Sequence, residues 1–145
     1  MKKEKKIVLV GGCFDILHPG HIIFLEKAKK VGDYLVVLLE SDEKIRRLKG
    51  DRRPVFKQSQ RAKILQALKA VDLVVNLPKM DSDQDYDRLI TKLKPDIIAV
   101  TKDYTNIDNH QRIAKLVGAK LKFVTKKIGN YSTSQILPLA QTKDL

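Results

Sequence analysis

His18 and His21 stand three residues apart around Pro19-Gly20, and the run Gly12-Cys13-Phe14-Asp15 lies just before them. Residues three apart share one face of a helix, so the two imidazoles can both donate N–H bonds to a single anion. Pro19 suits the first helical turn, because the N–H it lacks would have no intrahelical partner there. Gly20 lets a bound group approach the backbone closely. Free N–H groups and the helix dipole both favour negative charge at a helix start. These residue types in this order point to phosphate binding.

Such a turn needs a strand before it and a helix after it. Ile7–Val10 is a short apolar run, and Ile22 to Lys30 is amphipathic. Similar runs without strict alternation recur at Tyr34–Leu39, Leu73–Val75 and Ile97–Val100. They read as parallel strands buried on both faces. Lys120–Val124 alternates more, which places it nearer an edge. Helical stripes lie between the runs: Ile64, Leu65 and Leu68; Leu89, Ile90 and Leu93; Ile113, Leu116 and Val117. Gly32, Pro78, Pro95 and Gly118 punctuate the transitions. The alternation predicts one α/β domain over residues 1–145. Its fold is expected to be a Rossmann-like, doubly wound, parallel five-stranded sheet with helices on both faces. Ligands of such sheets sit at the carboxyl ends of strands near the switch in strand order, which is where Gly11 to His21 is expected.

The formal net charge of +12 over 145 residues implies a polyanionic partner. Most lysines are scattered, but Lys44, Arg46, Arg47, Lys49, Arg52 and Arg53 form a denser group. The lone cysteine, Cys13, excludes an internal disulfide and a multi-cysteine zinc site. Tyr34–Leu39 is too short to span a membrane, and Ile7–Val10 is too short for the apolar core of a signal peptide. A cytoplasmic protein without membrane association is expected.

Two common phosphate motifs are missing. There is no G-x-x-x-x-G-K-[ST] and, after the first run, no G-x-G-x-x-G. Gly12 to His21 instead resembles the signature of the HxGH nucleotidyltransferase superfamily, in its cytidylyltransferase-like branch. Gly32 to Val37 and Ser41-Asp42-Glu43 are similar to the family's second strand and following turn. Arg47 to Val55, Gln60-Arg61 and Ala70-Val71-Asp72 are especially close to the adenylyltransferase domain of ADP-heptose synthase. Glycerol-3-phosphate cytidylyltransferase and archaeal FAD synthetase are nearby. Ser132-Thr133-Ser134 looks like the family's C-terminal helix start.

The resemblance implies transfer of a nucleoside monophosphate from an NTP to a small phosphate monoester, with release of pyrophosphate. ATP is favoured over CTP because of Arg47 to Val55. The attacking phosphate is already ionised, so positioning and electrophilic donors must do most of the catalysis. Carried onto this chain, the family roles give backbone groups of Gly12, Cys13 and Phe14 as a phosphate cradle, with close approach at Gly20. His18 and His21 stabilise the transition state. Lys49, on a basic loop after the second strand, and Arg61 hold the triphosphate. Asp103 lies near the nucleoside, and Ser132 and Thr133 close the site. No protein metal site is expected, and Mg2+ would travel with the nucleotide. A homodimer is implied, and no nucleic-acid partner is expected.

Plainer roles stand beside these. Cys13 occupies a place where the family often has threonine, so its backbone matters more than its thiol. Asp15 reads better as a brace of the turn than as a substrate contact. Asp81, Asp83, Asp85 and Asp87 alternate like a calcium loop, but Tyr86 and Lys92 stand where an EF-hand needs Gly and Glu. They read as a polar turn entering a helix. The heptose-type relatives carry Lys-Gly-Gly-Asp-Tyr after the fourth strand. Here Thr101-Lys102 replace the glycine pair ahead of Asp103-Tyr104, so the base and the acceptor stay open. A nucleic-acid-binding module and a nucleotide sensor without catalysis are the alternatives from other classes.

Overall fold

The computed structural model describes residues 4–102 and 107–126. Asp103, Ser132 and Thr133 lie outside them. The described elements run β1 (Ile7–Gly12), α1 (Pro19–Lys30), β2 (Tyr34–Leu39), α2 (Asp42–Lys49), α3 (Gln58–Gln66), β3 (Leu73–Asn76), α4 (Asp83–Leu93), β4 (Ile97–Thr101), α5 (Ile107–Val117) and β5 (Lys120–Thr125). All strand pairs are parallel, and their order is β3-β2-β1-β4-β5. The Rossmann-like, doubly wound sheet read from the sequence is the fold of the chain, and β5 is an edge strand.

Side chains alternate across a pleated strand, and here both sets are buried. Val8, Val10, Leu35, Val37, Leu39, Ile97 and Ala99 pack with Leu25 and Ala28 of α1 and Ala62 and Leu65 of α3. Leu9, Val36, Leu38, Ile98 and Val100 pack on the other face with Ile90 of α4 and Ile113 and Ala114 of α5. Each fully buried Leu or Ile contributes about 2 kcal/mol relative to exposure. This explains the apolar strand runs without polar alternation. No helix among the described residues is long and apolar enough to cross a membrane.

The segment after β2 departs from the sequence reading. It is expected as a basic loop, but it forms the helix α2. The Ser41 hydroxyl accepts from the Lys44 N–H at 3.1 Å. Asp42 and Glu43 occupy the first turn, and Arg46, Arg47 and Lys49 the last. Both sets oppose the helix dipole's end charges. Ile45 is fully buried beneath the helix. Gly50 ends it at φ 99°, a backbone state open to glycine. Lys49 therefore sits on a helix end.

Gly32 shows how tightly the first βαβ unit closes. A Cβ there would lie 2.4 Å from Val8 Cγ2 and 2.9 Å from the Lys6 carbonyl oxygen. The carbonyl cannot move aside, since it accepts from the N–H groups of Asp33 and Tyr34. Gly32→Ala is expected to cost about 1–3 kcal/mol through overpacking. A lower urea midpoint with an unchanged m-value would register it.

Candidate active site

β1 pairs with β2 from Ile7 to Gly12, but with β4 only at Val8 and Leu9. The two central strands part above Leu9 and Ile98. A cavity of about 840 Å3 opens in the gap, at the carboxyl ends of the strands and at the switch in strand order. Gly12, Cys13, Phe14, His18, Gly20, His21 and Lys49 all line it, as do Thr101 and Thr125 from the β4–β5 side.

The turn between β1 and α1 is built by packing. Phe14 adopts φ 45° and is buried at 7% exposure. Its ring lies so close to Gly12 that a Cβ there would meet Phe14 Cε2 at 2.8 Å. The same ring is tilted against His21, with centroids 5.4 Å apart. His18 caps α1, Pro19 begins it, and the His18 N–H donates to His21 Nδ1 at 3.3 Å. The two imidazoles stack with centroids 3.7 Å apart. Because Nδ1 of His21 accepts, its proton belongs on Nε2. Burial, with help from neighbouring His18 and Lys49, pushes His21 down to about 4. Burial also lowers His18. At neutral pH the pair consists of uncharged N–H donors. Burial pushes the Cys13 thiol up, against the opposing pull of Lys49, so it stays protonated.

Beneath the turn lies a buried ionic brace. Asp15 Oδ2 accepts from Arg53 Nε at 2.9 Å and from the Val55 N–H at 2.8 Å, while Oδ1 accepts from the Phe56 N–H at 3.0 Å. Burial alone would raise the Asp15 carboxyl, but the Phe56, Val55 and Arg53 bonds outweigh it and hold it below the usual range. Asp15 is the brace that its place in the sequence indicated.

Arg61 differs from its expected place at the triphosphate. It is fully buried, and its guanidinium donates to the Phe56 carbonyl at 3.0 Å, the Cys13 carbonyl at 2.7 Å and Asp42 Oδ1 at 2.7 Å. All three of its nitrogens are engaged by protein oxygens. Arg61 therefore ties the turn, the loop after α2 and the start of α2 together from below. Arg53, also buried, serves Asp15, while Arg52 is exposed.

Sequence reasoning missed Glu40 and Tyr86. Glu40 follows β2 directly, and its N–H donates to the Gly12 carbonyl at 3.1 Å. The Tyr86 hydroxyl of α4 donates to both Glu40 oxygens, at 2.9 and 3.1 Å. Both residues line the cavity. On the opposite side, Thr101 Oγ1 and Thr125 Oγ1 lie 3.0 Å apart, and the Lys102 N–H donates to the Thr125 carbonyl at 2.7 Å. The β4–β5 register shifts at Val100/Thr101, so the residues in place of the glycine pair continue an irregular strand end. Among the described residues, no three His, Cys, Asp or Glu side chains converge on a metal position.

The fold and the histidine turn define a nucleotidyltransferase. The chain belongs to the cytidylyltransferase-like family, whose sequence model matches residues 9–138. It is 42% identical over 139 residues to the bifunctional protein HldE of Helicobacter pylori, covering 94% of this chain and 28% of that protein. It is 54% identical over 104 residues to HldE of Campylobacter fetus, covering 72% of this chain and 22% of that protein. The chain thus spans about a quarter of the length of these curated relatives. The lipopolysaccharide core biosynthesis protein from Thermoplasma volcanium superposes with a TM-score of 0.66 at 32% identity, over 89% of this chain and 100% of that one. Pantoate-beta-alanine ligase from Francisella tularensis shares the fold at 17% identity, with a TM-score of 0.61 over 94% of this chain and 69% of that one.

Two outcomes follow from the charges. The His21 ring resonances should titrate near pH 4 in the free protein. A midpoint near 6.5 by NMR would contradict the buried, neutral assignment. The unfolded chain takes up this proton first, so His21 lowers stability progressively as pH falls from about 6.5 towards 4. Asp15→Asn removes the charge partner of buried Arg53 and should cost about 3 kcal/mol. Asp15 stabilises above its unfolded pKa, and that stability is lost as pH falls through the lower folded value. The acid limb of a denaturation profile should therefore be shallower in the variant.

Proposed function

We propose that the chain transfers a nucleoside monophosphate from ATP to a small phosphate monoester and releases pyrophosphate. The observation that carries this reading is the stacked, neutral histidine pair at the start of α1, facing the gap between β1 and β4. An ionised acceptor oxygen attacks the α-phosphorus. The bond from that phosphorus to the bridging oxygen breaks, and its electron pair leaves with pyrophosphate. No general base is needed. His18 and His21 donate N–H bonds to the α-phosphate oxygens, where negative charge builds. Lys49, exposed at the end of α2 and on the cavity wall, supplies a mobile positive charge for the leaving group. Gly12, Cys13, Phe14 and Gly20 let phosphate approach the backbone. Arg61 acts indirectly, by fixing the Cys13 carbonyl.

Mg2+ would be carried by the triphosphate and would supply charge neutralisation for the transfer. Asp103, Ser132 and Thr133 are proposed on the nucleoside and phosphate sides of the same site, from the family resemblance. ATP is supported by the likeness of Arg47 to Val55 to adenylyltransferase relatives. The acceptor is proposed as a phosphorylated sugar, polyol or cofactor precursor, and the working unit as a cytoplasmic homodimer.

A pyrophosphate-release screen crossing the four NTPs with phosphate monoesters tests this directly. ATP should give the highest rate. His18→Ala should keep the wild-type circular dichroism and lose about 100-fold or more in turnover, as for removal of an electrostatic donor. Wild-type turnover in the folded variant would sink the assignment, and a preference for CTP would overturn the choice of nucleotide.

A further inference from the structure

The stretch 46–64 carries Arg46, Arg47, Lys49, Arg52, Arg53, Lys57, Arg61 and Lys63 against one acid, Asp51. Arg53 and Arg61 are buried beneath the turn, Arg47 meets Asp81 at 3.1 Å, and Lys49 lines the cavity. Arg46, Arg52, Lys57 and Lys63 are exposed, and among the described residues no ion pair neutralises them. The same stretch holds four of the seven large apolar side chains that stand exposed among the described residues: Leu48 at 61%, Val55 at 46%, Ile64 at 38% and Phe56 at 37%. Single exposed apolar groups are ordinary, whereas a concentration of them among unpaired cations marks an interaction surface.

These residues follow one seam. Asp42 Oδ1 accepts from Arg61 at 2.7 Å, which fixes the facing sides of α2 and α3. Arg46 lies one turn after Asp42, and Ile64 one turn after Arg61, so both stand along that seam. Lys57 caps the start of α3 and shares the face of Ile64, seven positions on. Arg52, Val55 and Phe56 belong to the loop that joins the two helices. Leu48 is exposed and also lines the cavity, so the strip reaches the cavity rim.

The chemistry narrows the occupant. A single-stranded nucleic acid needs stacking platforms, and Phe56 is the one aromatic residue of the stretch. A second copy related by a twofold axis would set this cationic strip against itself. Lysine and arginine around short aliphatic side chains match the boundary between headgroups and acyl chains in an anionic bilayer.

We propose that residues 46–64 dock this chain on an anionic membrane surface. The cations meet lipid phosphates, and Leu48, Val55, Phe56 and Ile64 enter the acyl boundary. The expectation of no membrane association rested on the lack of spanning and signal segments, and a docking strip needs neither. The proposal is independent of nucleotidyl transfer.

Flotation of the 145-residue chain with lipid vesicles tests it. Phosphatidylcholine vesicles with about one-third phosphatidylglycerol should bind the chain at least about tenfold more tightly than pure phosphatidylcholine, and added salt should weaken that binding. The triple variant Arg46→Ser, Arg52→Ser, Lys57→Ser should lose about tenfold or more. A control carrying Lys115→Ser, Lys120→Ser and Lys122→Ser removes the same charge from α5 and β5 and should bind like wild type. Val55→Ser with Ile64→Ser should lower binding about fivefold without changing its salt dependence. Circular dichroism checks that each variant is folded. Equal binding to the two vesicles, equal losses in the two triple variants, or tighter binding of single-stranded RNA than of anionic vesicles would overturn the docking site. So would a dimer in sedimentation that Val55→Ser with Ile64→Ser converts to monomer while vesicle binding is kept.

Discussion

The site depends on the point where β1 and β4 stop pairing. β1 keeps its ladder to β2 through Gly12, yet β4 follows it only to Leu9. A sheet held together below and parted above gives an apolar floor of strand residues and a rim of strand ends. The rim on the β1 side must turn sharply into a helix. Gly12 has no Cβ, so the Phe14 ring can lie across it, and that ring in turn meets His21. The histidines inherit their position from the parting of two strands and the absence of one methyl group.

The turn also depends on charges that never reach the cavity surface. Gly12 and Cys13 both direct carbonyls to donors away from the substrate: the Glu40 N–H and the Arg61 guanidinium. A carbonyl held this way does not repel an incoming phosphate. Arg61 joins three segments through three bonds, and Asp15 joins the turn to the loop after α2. Removing one partner of such a network costs more than the remaining bonds return, because a buried charge is left unpaired. Arg61, which the family resemblance puts at the triphosphate, and Arg53, from the basic cluster, are thus occupied in shaping the turn.

What was legible in the sequence was local. Strand, turn and helix around His18 and His21 follow from neighbouring residues, and so do the buried strands with their helices on two faces. The basic cluster misled at α2, because lysine and arginine density masks a helix whose evidence is one cap, Ser41, and one buried residue, Ile45. Arg61 was found by its setting at a helix start, but the direction of its side chain is decided by Cys13, Phe56 and Asp42. Asp72 matched relatives without a visible reason, and its carboxylate accepts the Leu35 N–H at 2.8 Å. Glu40 and Tyr86 are 46 positions apart, and only the packing of α4 beside the end of β2 brings them together.

With a net charge of +12, the chain could have met a triphosphate with cations alone. Its central donors are nevertheless two histidines stacked at 3.7 Å. Burial is the main force that keeps these rings uncharged, and at this spacing repulsion from His18 adds to it at His21. Neutral N–H groups carry direction without a net charge, whereas a lysine there would be a point charge on a flexible stem. In the proposed reaction such directional donors are aimed where oxygen charge develops, and Lys49, at an exposed helix end, is the cation proposed to follow the leaving group. Fixed geometry and mobile charge are thereby assigned to different residues, which one arginine could not achieve while also bracing the turn.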